Sequence, residues 1–403
     1  MNGLPNDKPR LRPVEAFGLP GHDGLSIGLR DRSGLSDAVL TMSPPALHVL
    51  SLMDGVNTCS DIRRKFAESV GQTLAPATLT RLLAYLEKVH WLEGPAFEAF
   101  YQEQLERYRA AAVRPMCHTR ELGVADDEGG LFADMLADAG AAPVPSPVKG
   151  LVAPHLDYPR GRPCYAAAYA TIRGRNPPDR VVVLGTNHFG RSTAVVATGH
   201  DFETPLGVTK TDVEFLSRLE TRCGDLRAFE LDHLREHSIE LQVAWLQYLF
   251  GAAAFRLVAL LCPDPCGSTG ATPFDGRGGD LRGFAHNLAD EIQNSGGDSL
   301  LIAGADLSHV GAAFGDHRLL DDENLAHVRR RDEAALSCLV QRNPDGFVHM
   351  LVEDGNSTNM CSAGCLFALA TALPHAQPTL LLYHQAVNGP PQTCVTCAAM
   401  MYT

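Results

Sequence analysis

Three apolar runs in the second part of this 403-residue chain each lead directly into a polar cluster containing a histidine. Leu151-Val152-Ala153 runs into Pro154-His155-Leu156-Asp157-Tyr158. Val181-Val182-Val183-Leu184-Gly185 runs into Thr186-Asn187-His188-Phe189-Gly190, and Leu300-Leu301-Ile302-Ala303-Gly304 runs into Ala305-Asp306-Leu307-Ser308-His309. Short, continuous apolar runs are the text of strands buried on both faces. Residues 255–261 (FRLVALL) and 379–384 (TLLLYH) read the same way. Between the runs lie helical stretches; in HSIELQVAWLQYLF, Ile239, Val243, Leu246 and Phe250 recur at helical spacing. Such alternation predicts an α/β domain, a largely parallel sheet flanked by helices. The closing TLLLYHQAVNGPPQTCVTCAAMMY reads as a hairpin, which makes the sheet mixed. Open α/β sheets bind ligands beyond the carboxyl ends of their strands, so the three histidines are expected on one rim.

One histidine after a strand is most often structural; three at the same strand end point to a site. Two further segments are candidates to join it. Glu236-His237-Ser238-Ile239-Glu240 stands at a helix start, where capping is the plain alternative. Cys361 lies in a small-residue turn, NSTNMCSAGC, ahead of the apolar LFALATAL helix, and a thiol at a helix N-terminus favours the thiolate. Cys365, one turn on, reads as core. Two neutral imidazoles plus one anionic ligand with open positions is the donor set of non-haem iron oxygenases. A thiolate in the anionic place also tolerates copper or zinc. Asp306 and His309 then supply support or acid/base chemistry. A zinc hydrolase is the chemical alternative, and a metal- or partner-binding module without turnover is the non-enzymatic one. The absence of a G-x-S-x-G elbow argues against a Ser-His-Asp enzyme.

The first part of the chain reads differently. Residues 1–35 show no sustained period. Residues 43–55, 60–71 and 78–90 then read as three short amphipathic helices, with Ser60 and Thr78 as expected N-caps and Leu79, Leu82, Leu83, Leu86 and Val89 as a stripe. With Trp91-Leu92 following, a small winged-helix-like α+β unit is expected. Residues 94–112 read as a helical connector and 111–147 as a linker, giving domains at 1–110 and 148–403. The first 110 residues carry 12 Lys+Arg against 13 Asp+Glu, so most of the formal charge of -13 sits in the larger domain. An acidic domain and a near-neutral one offer nucleic-acid phosphates little attraction. No apolar stretch approaches the roughly 20 residues of a membrane span, and the N-terminus lacks the apolar core of a signal peptide; a cytoplasmic location is expected. Eleven scattered cysteines argue for free thiols. Cys394 and Cys397 fall three apart in a terminal strand and so point to opposite faces.

Taken in order, "APHLDY", "LGTNHFG", "TPLGVTKTD" (Thr204 to Asp212), "REHSIELQ", "AGADLSHVG" and "CSAG" resemble the motifs of the Memo family, related in fold to class III extradiol ring-cleaving dioxygenases. The resemblance spans roughly residues 148–402. It implies His155, His188 and Cys361 as metal ligands, His309 with Asp306 as the acid/base pair, and His237 lining the same cleft. It also implies an iron- or copper-binding oxidoreductase or a signalling adaptor; together with the residue reading, the expectation is a metal-dependent oxidoreductase, iron first and copper or zinc as alternatives, acting on a small molecule or a peptide side chain. The chain departs from the family pattern at Leu156-Asp157, usually Ala-Gly; at Phe189, usually a second histidine; and at Ser362, usually glycine. No Arg/Phe-Tyr-Pro motif is recognisable around 114–145. The stretch "LMDG…CSDIRRKF…LLAYLEKVHWLEG" resembles PqqD-like recognition domains, which bind a precursor peptide as an added strand.

Overall fold

In the strand Arg180–Thr186 every side chain is buried, and successive residues serve two different cores. Val181 and Val183 pack into one, Val182 and Leu184 into the other. A strand with helices on both sides has no solvent face, so the apolar/polar alternation of a half-exposed strand is absent. The computed structural model describes residues 7–21, 24–119, 130–139, 146–263, 280–316, 320–389 and 392–403. They form two units, Met1–Ala110 and Ala111–Thr403.

In the first unit a three-stranded antiparallel sheet, β1 (Val14–Gly21), β2 (Gly24–Asp31) and β3 (Val39–Met42), precedes the helices α1 (Pro44–Ser51), α2 (Cys59–Val70), α3 (Pro76–Lys88) and α4 (Pro95–Ala110). Two expectations are corrected here. β1 and β2 pair regularly and antiparallel, and the three-stranded sheet lies ahead of the helices, with Leu92 after α3 making only a single bridge to Leu11. The caps move as well. Thr58, not Ser60, caps α2: its hydroxyl accepts the Asp61 amide while Asp61 accepts the Thr58 amide, a reciprocal pair. Pro76 opens α3 ahead of Thr78. Ile62, Phe66, Leu79, Leu83, Leu86 and Trp91 form the core with Leu29 and Leu40. The connector α4 belongs to this unit and buries Phe97, Tyr101, Leu105 and Tyr108.

The second unit begins earlier than the expected boundary at 148. The segment read as a linker supplies β4 (Val113–Arg114), which pairs with β8 (Asp201–Thr204), and α5 (Gly130–Asp138), whose Phe132 and Met135 are fully buried against Trp245 and its neighbours. Polar, proline-rich text around these short elements hides them. The main sheet is built on four parallel strands, β5 (Gly150–Ala153), β11 (Ser299–Gly304), β6 (Arg180–Thr186) and β10 (Arg256–Cys262), in that spatial order. The short β7 (Val196–Ala197) adds antiparallel to β10. On the other side β14 (Thr393–Tyr402) adds antiparallel to β5, pairing also with β12 (Asp306–Gly311) and with β13 (Pro378–Asn388), so the expected closing hairpin makes a mixed sheet. A side hairpin joins β8 to β9 (Gly207–Thr209).

Helices α5, α6 (Tyr158–Ala170) and α8 (Glu240–Phe250) contribute to one core. Helices α7 (Val213–Cys223), α9 (Leu281–Asn294), α10 (Asp322–Val340), α11 (Pro344–Glu353) and α12 (Ala363–Ala372) contribute to the other. None of the ten cysteines among the described residues forms a disulfide, Cys266 lying outside them. Cys394 and Cys397 fall in different clusters, the opposite-face placement expected from their spacing. No described helix is long and apolar enough to cross a membrane.

Candidate metal centre

The parallel strands β5 and β6 end at His155 and His188, and β11 continues through Ala305 into β12, which carries Asp306 and His309. In a regular strand Asp306 and His309, three apart, would face opposite sides. The register against β14 slips between them: Asp306 pairs with Cys397 and His309 with Val395, three residues opposing two. This bulge resets the phase of the strand and re-aims both side chains into one cleft. Cys361 closes the group from the turn before α12. Gly364, in the first turn of α12, has no room for a Cβ, which would overlap the Pro263 carbonyl oxygen. The glycine lets the start of α12, and Cys361 with it, approach the end of β10.

Each imidazole is tied from behind. His155 Nδ1 donates to the Gly304 carbonyl at 2.9 Å, leaving Nε2 toward the cleft. His188 Nδ1 donates to Glu236 at 3.0 Å, and the His188 amide donates to the same carboxylate at 2.9 Å. Glu236 also accepts the amides of His237 and Ser238. Asp306 Oδ1 accepts the amides of His155 and Leu156 at 3.0 and 3.1 Å, so it fixes the turn that presents His155. The rings of His155 and His188 meet edge-on with centroids 4.7 Å apart, and His237 lies 5.4 and 5.1 Å from them. One nitrogen from each of the three falls within 4.8 Å of the others, a group that can hold a metal ion. Cys361 Sγ lies 3.6 Å from His155 Nε2 and also hydrogen-bonds His188, while His309 reaches the same sulfur.

All six residues expected at the site therefore meet in one cleft. The tightest nitrogen group takes in His237, which the sequence placed with the acid/base residues and not among the ligands, and Cys361 stands beside it.

The comparisons with known proteins bear on what this cleft is. A family model described as Memo-like protein matches residues 133–401. The chain belongs to the Memo-like family. A MEMO1 family protein of Aquifex aeolicus is 25% identical over 379 residues, 93% of this chain and 95% of its own length. That alignment is longer than the second unit, so the likeness extends into the first. A MEMO1 family protein of Ignicoccus hospitalis is 29% identical over 231 residues, 56% of this chain and 72% of its own. A solved structure, an uncharacterized protein from Escherichia coli K12, overlays with a TM-score of 0.40 at 15% identity, covering 64% of this chain and all of that one.

The Memo-like cleft brings acidic groups and imidazoles into close contact. Burial works against protonating His155, yet Asp306 and the Cys361 sulfur raise it to about 9. His309 is likewise raised to about 9 by Cys361 and Asp306 against its burial. Burial would keep the Cys361 thiol protonated, but His309 and His155 hold it well below the usual range. Glu236 is held down by His188 in the same way. His237 is the exception: burial, with the neighbouring imidazoles, pushes it down to about 3 despite Glu236. Its Nδ1 is buried 3.4 Å from Glu236 without making a hydrogen bond. A thiolate and two carboxylates among imidazoles with cleft-facing nitrogens suit a divalent metal.

Two departures from the family pattern resolve into plain roles. Asp157 is no added site carboxylate; it caps α6 through the Arg160 amide and pairs with the Arg160 guanidinium at 2.6 Å. Phe189 lines the cleft, its ring 5.6 Å from His188 and 6.1 Å from His237. What the sequence did not reveal is the support under the α8 start. Arg114 is fully buried, donates to the carbonyls of His233 and Glu236, and pairs with Glu240 at 2.5 Å. Glu240 accepts the amides of Cys117, His118 and Thr119. This clip sets the His118 ring 5.2 Å from His237, at the edge of the cleft. A lone arginine in irregular text carries no signal of such a role.

Proposed function

We propose that this Memo-like protein is a non-haem metal-dependent oxidoreductase of the extradiol-dioxygenase type, with iron as its metal and a small molecule or a peptide side chain as substrate. The observation that carries the reading is the convergence of two back-tied imidazoles and the Cys361 sulfur at the strand ends. His155, His188 and Cys361 hold the metal, which when bound supplies redox and Lewis-acid chemistry. His309, charged at neutral pH and touching the Cys361 sulfur, is the proton donor and acceptor toward substrate. Asp306 keeps the His155 turn in place. His237, held neutral, offers either a further metal ligand or a hydrogen bond to substrate. In the first unit, the sheet edge at β3 is where a precursor peptide would add as a strand, consistent with the PqqD-like resemblance.

Metal analysis of protein purified without added metal, followed by oxygen uptake with catechols and candidate peptides, tests this. Iron in near-stoichiometric amount, lost in His155→Ala and Cys361→Ala, is the expected result. Unchanged metal content in both variants would remove the site. Two histidines and a cysteine with an open position also form a zinc-hydrolase donor set, and zinc without oxygen uptake would favour that reading. Bound metal with no turnover on any substrate would favour a binding module.

A further inference from the structure

Ser362 occupies the N-cap position of α12, yet its hydroxyl makes no bond to that helix's amides. An N-cap serine ordinarily accepts the N2 or N3 amide, a contact worth about 1 kcal/mol. Here the oxygen is used elsewhere. It accepts the Asp306 amide at 3.1 Å and the Thr186 hydroxyl at 2.9 Å, and it lies 3.2 Å from Cys361 Sγ. A serine hydroxyl has two acceptor positions and one proton. Both acceptor positions are taken, so the proton points at the sulfur. The chain of donors extends further back. Thr186 Oγ1 has given its proton to Ser362, so Cys365 Sγ, 3.4 Å away, donates to Thr186. A relay of thiol, threonine and serine thus ends on Cys361. Ser362 is fully buried, so bulk solvent does not reach its hydroxyl.

We propose that Ser362 is a positioning residue of the metal centre: its hydroxyl donates to the Cys361 sulfur, fixing the direction of the thiolate and drawing electron density from it, so that the sulfur is a weaker donor to a first-row divalent metal. The inference rests on Cys361 being a ligand, as proposed above. Hydrogen bonds to a ligating sulfur are among the protein's means of tuning a metal's potential.

The test is a Co(II) titration of the full chain, read as sulfur-to-cobalt charge-transfer absorption. In the wild type the band should appear at one equivalent and vanish in Cys361→Ser. In Ser362→Ala and Ser362→Gly it should move to longer wavelength with stoichiometry unchanged, since a stronger sulfur donor is easier to oxidise. Thr186→Val removes a bond to Ser362 but leaves the serine proton on the sulfur, so its band should stay near the wild-type position. A band unmoved in both Ser362 variants overturns the inference. So does a band that weakens without shifting, which would mean that Ser362 only holds the Asp306 amide. So does an equal shift in Thr186→Val. A wild-type titration with no band sensitive to Cys361→Ser would instead remove Cys361 as a ligand, a failure of the underlying site that is visible before any serine variant is made.

Discussion

Glu240→Gln is the most informative single change outside the proposed metal ligands. Both side chains of the Arg114–Glu240 pair are inaccessible to solvent. The Glu240 carboxylate also accepts three successive amides and the Thr119 hydroxyl. An amide in its place keeps the shape, removes the charge, and turns an NH2 toward groups that can only donate. Burial alone would raise the Glu240 carboxyl, but Arg114 and the amides of Thr119 and His118 bring it down from 4.5 to about 2. At about 1.4 kcal/mol per tenfold change in the proton equilibrium, that depression corresponds to about 3 kcal/mol of stability at neutral pH. Breaking a buried pair from one side costs about 3–5 kcal/mol by analogy with other proteins, a consistent range. Because the folded-state value is depressed, the contribution is complete above the ordinary value of 4.5 and is lost as pH falls toward 2. The assay is urea unfolding of the full chain in a Trp91→Phe background, where Trp245, buried in the second unit, is the remaining indole. Glu240→Gln should lower stability by about 3 kcal/mol at neutral pH, and the gap to wild type should close in acid. Arg114→Met combined with Glu240→Gln should lie nearer the wild type than Glu240→Gln alone, since no buried charge is then left uncompensated. A cost below about 1 kcal/mol, the level of an exposed ion pair, would refute the reasoning. A gap that persists unchanged below pH 4.5 would refute it equally.

Other outcomes follow from the same geometry. Glu236→Gln leaves His188 without its anionic partner, and metal affinity measured by competition with a chelator should fall about 10- to 100-fold while the fold persists by circular dichroism. Gly364→Ala forces a methyl group into the Pro263 carbonyl; the shift of α12 should cost about 1–3 kcal/mol in denaturant unfolding and lower metal affinity with it. Wild-type stability in that variant would mean the close approach is easily relieved. Thr58→Ala removes the reciprocal cap of α2 and should cost about 1 kcal/mol, read by Trp91 fluorescence in a Trp245→Phe background.

The parallel strands were legible because burial on both faces leaves a simple mark, a run such as Val181–Leu184 with no polar interruption. The histidines were legible because the end of such a run is also the rim of the sheet. The first hairpin was not legible for the opposite reason. In Val14–Gly21 and Gly24–Asp31 glycine and proline interrupt the text, and no regular hydrophobic period survives. The helix caps were read two and three residues too late. The reciprocal Thr58–Asp61 pair outcompetes the nearer Ser60, and proline sets the start of α3 regardless of Thr78.

Within the site, identity was easier to read than role. A three-residue offset gives no reason to expect Asp306 and His309 in the same cleft, and only the bulge against Val395–Cys397 puts them there. Glu236 looked like a helix-start carboxylate because that is where it lies; its four hydrogen-bonded N–H groups include the His188 ring, which no spacing rule encodes. Arg114 is the extreme case. Its partners at 233, 236 and 240 are more than a hundred residues away, and what joins them is a two-residue strand that pairs with β8. The chemistry-bearing side chains are thus announced by local text, while the groups that aim and charge them are set by tertiary contacts. The position of His237 draws on both kinds, since its own amide donates to the neighbouring Glu236 carboxylate while the distant Arg114 holds the Glu236 carbonyl.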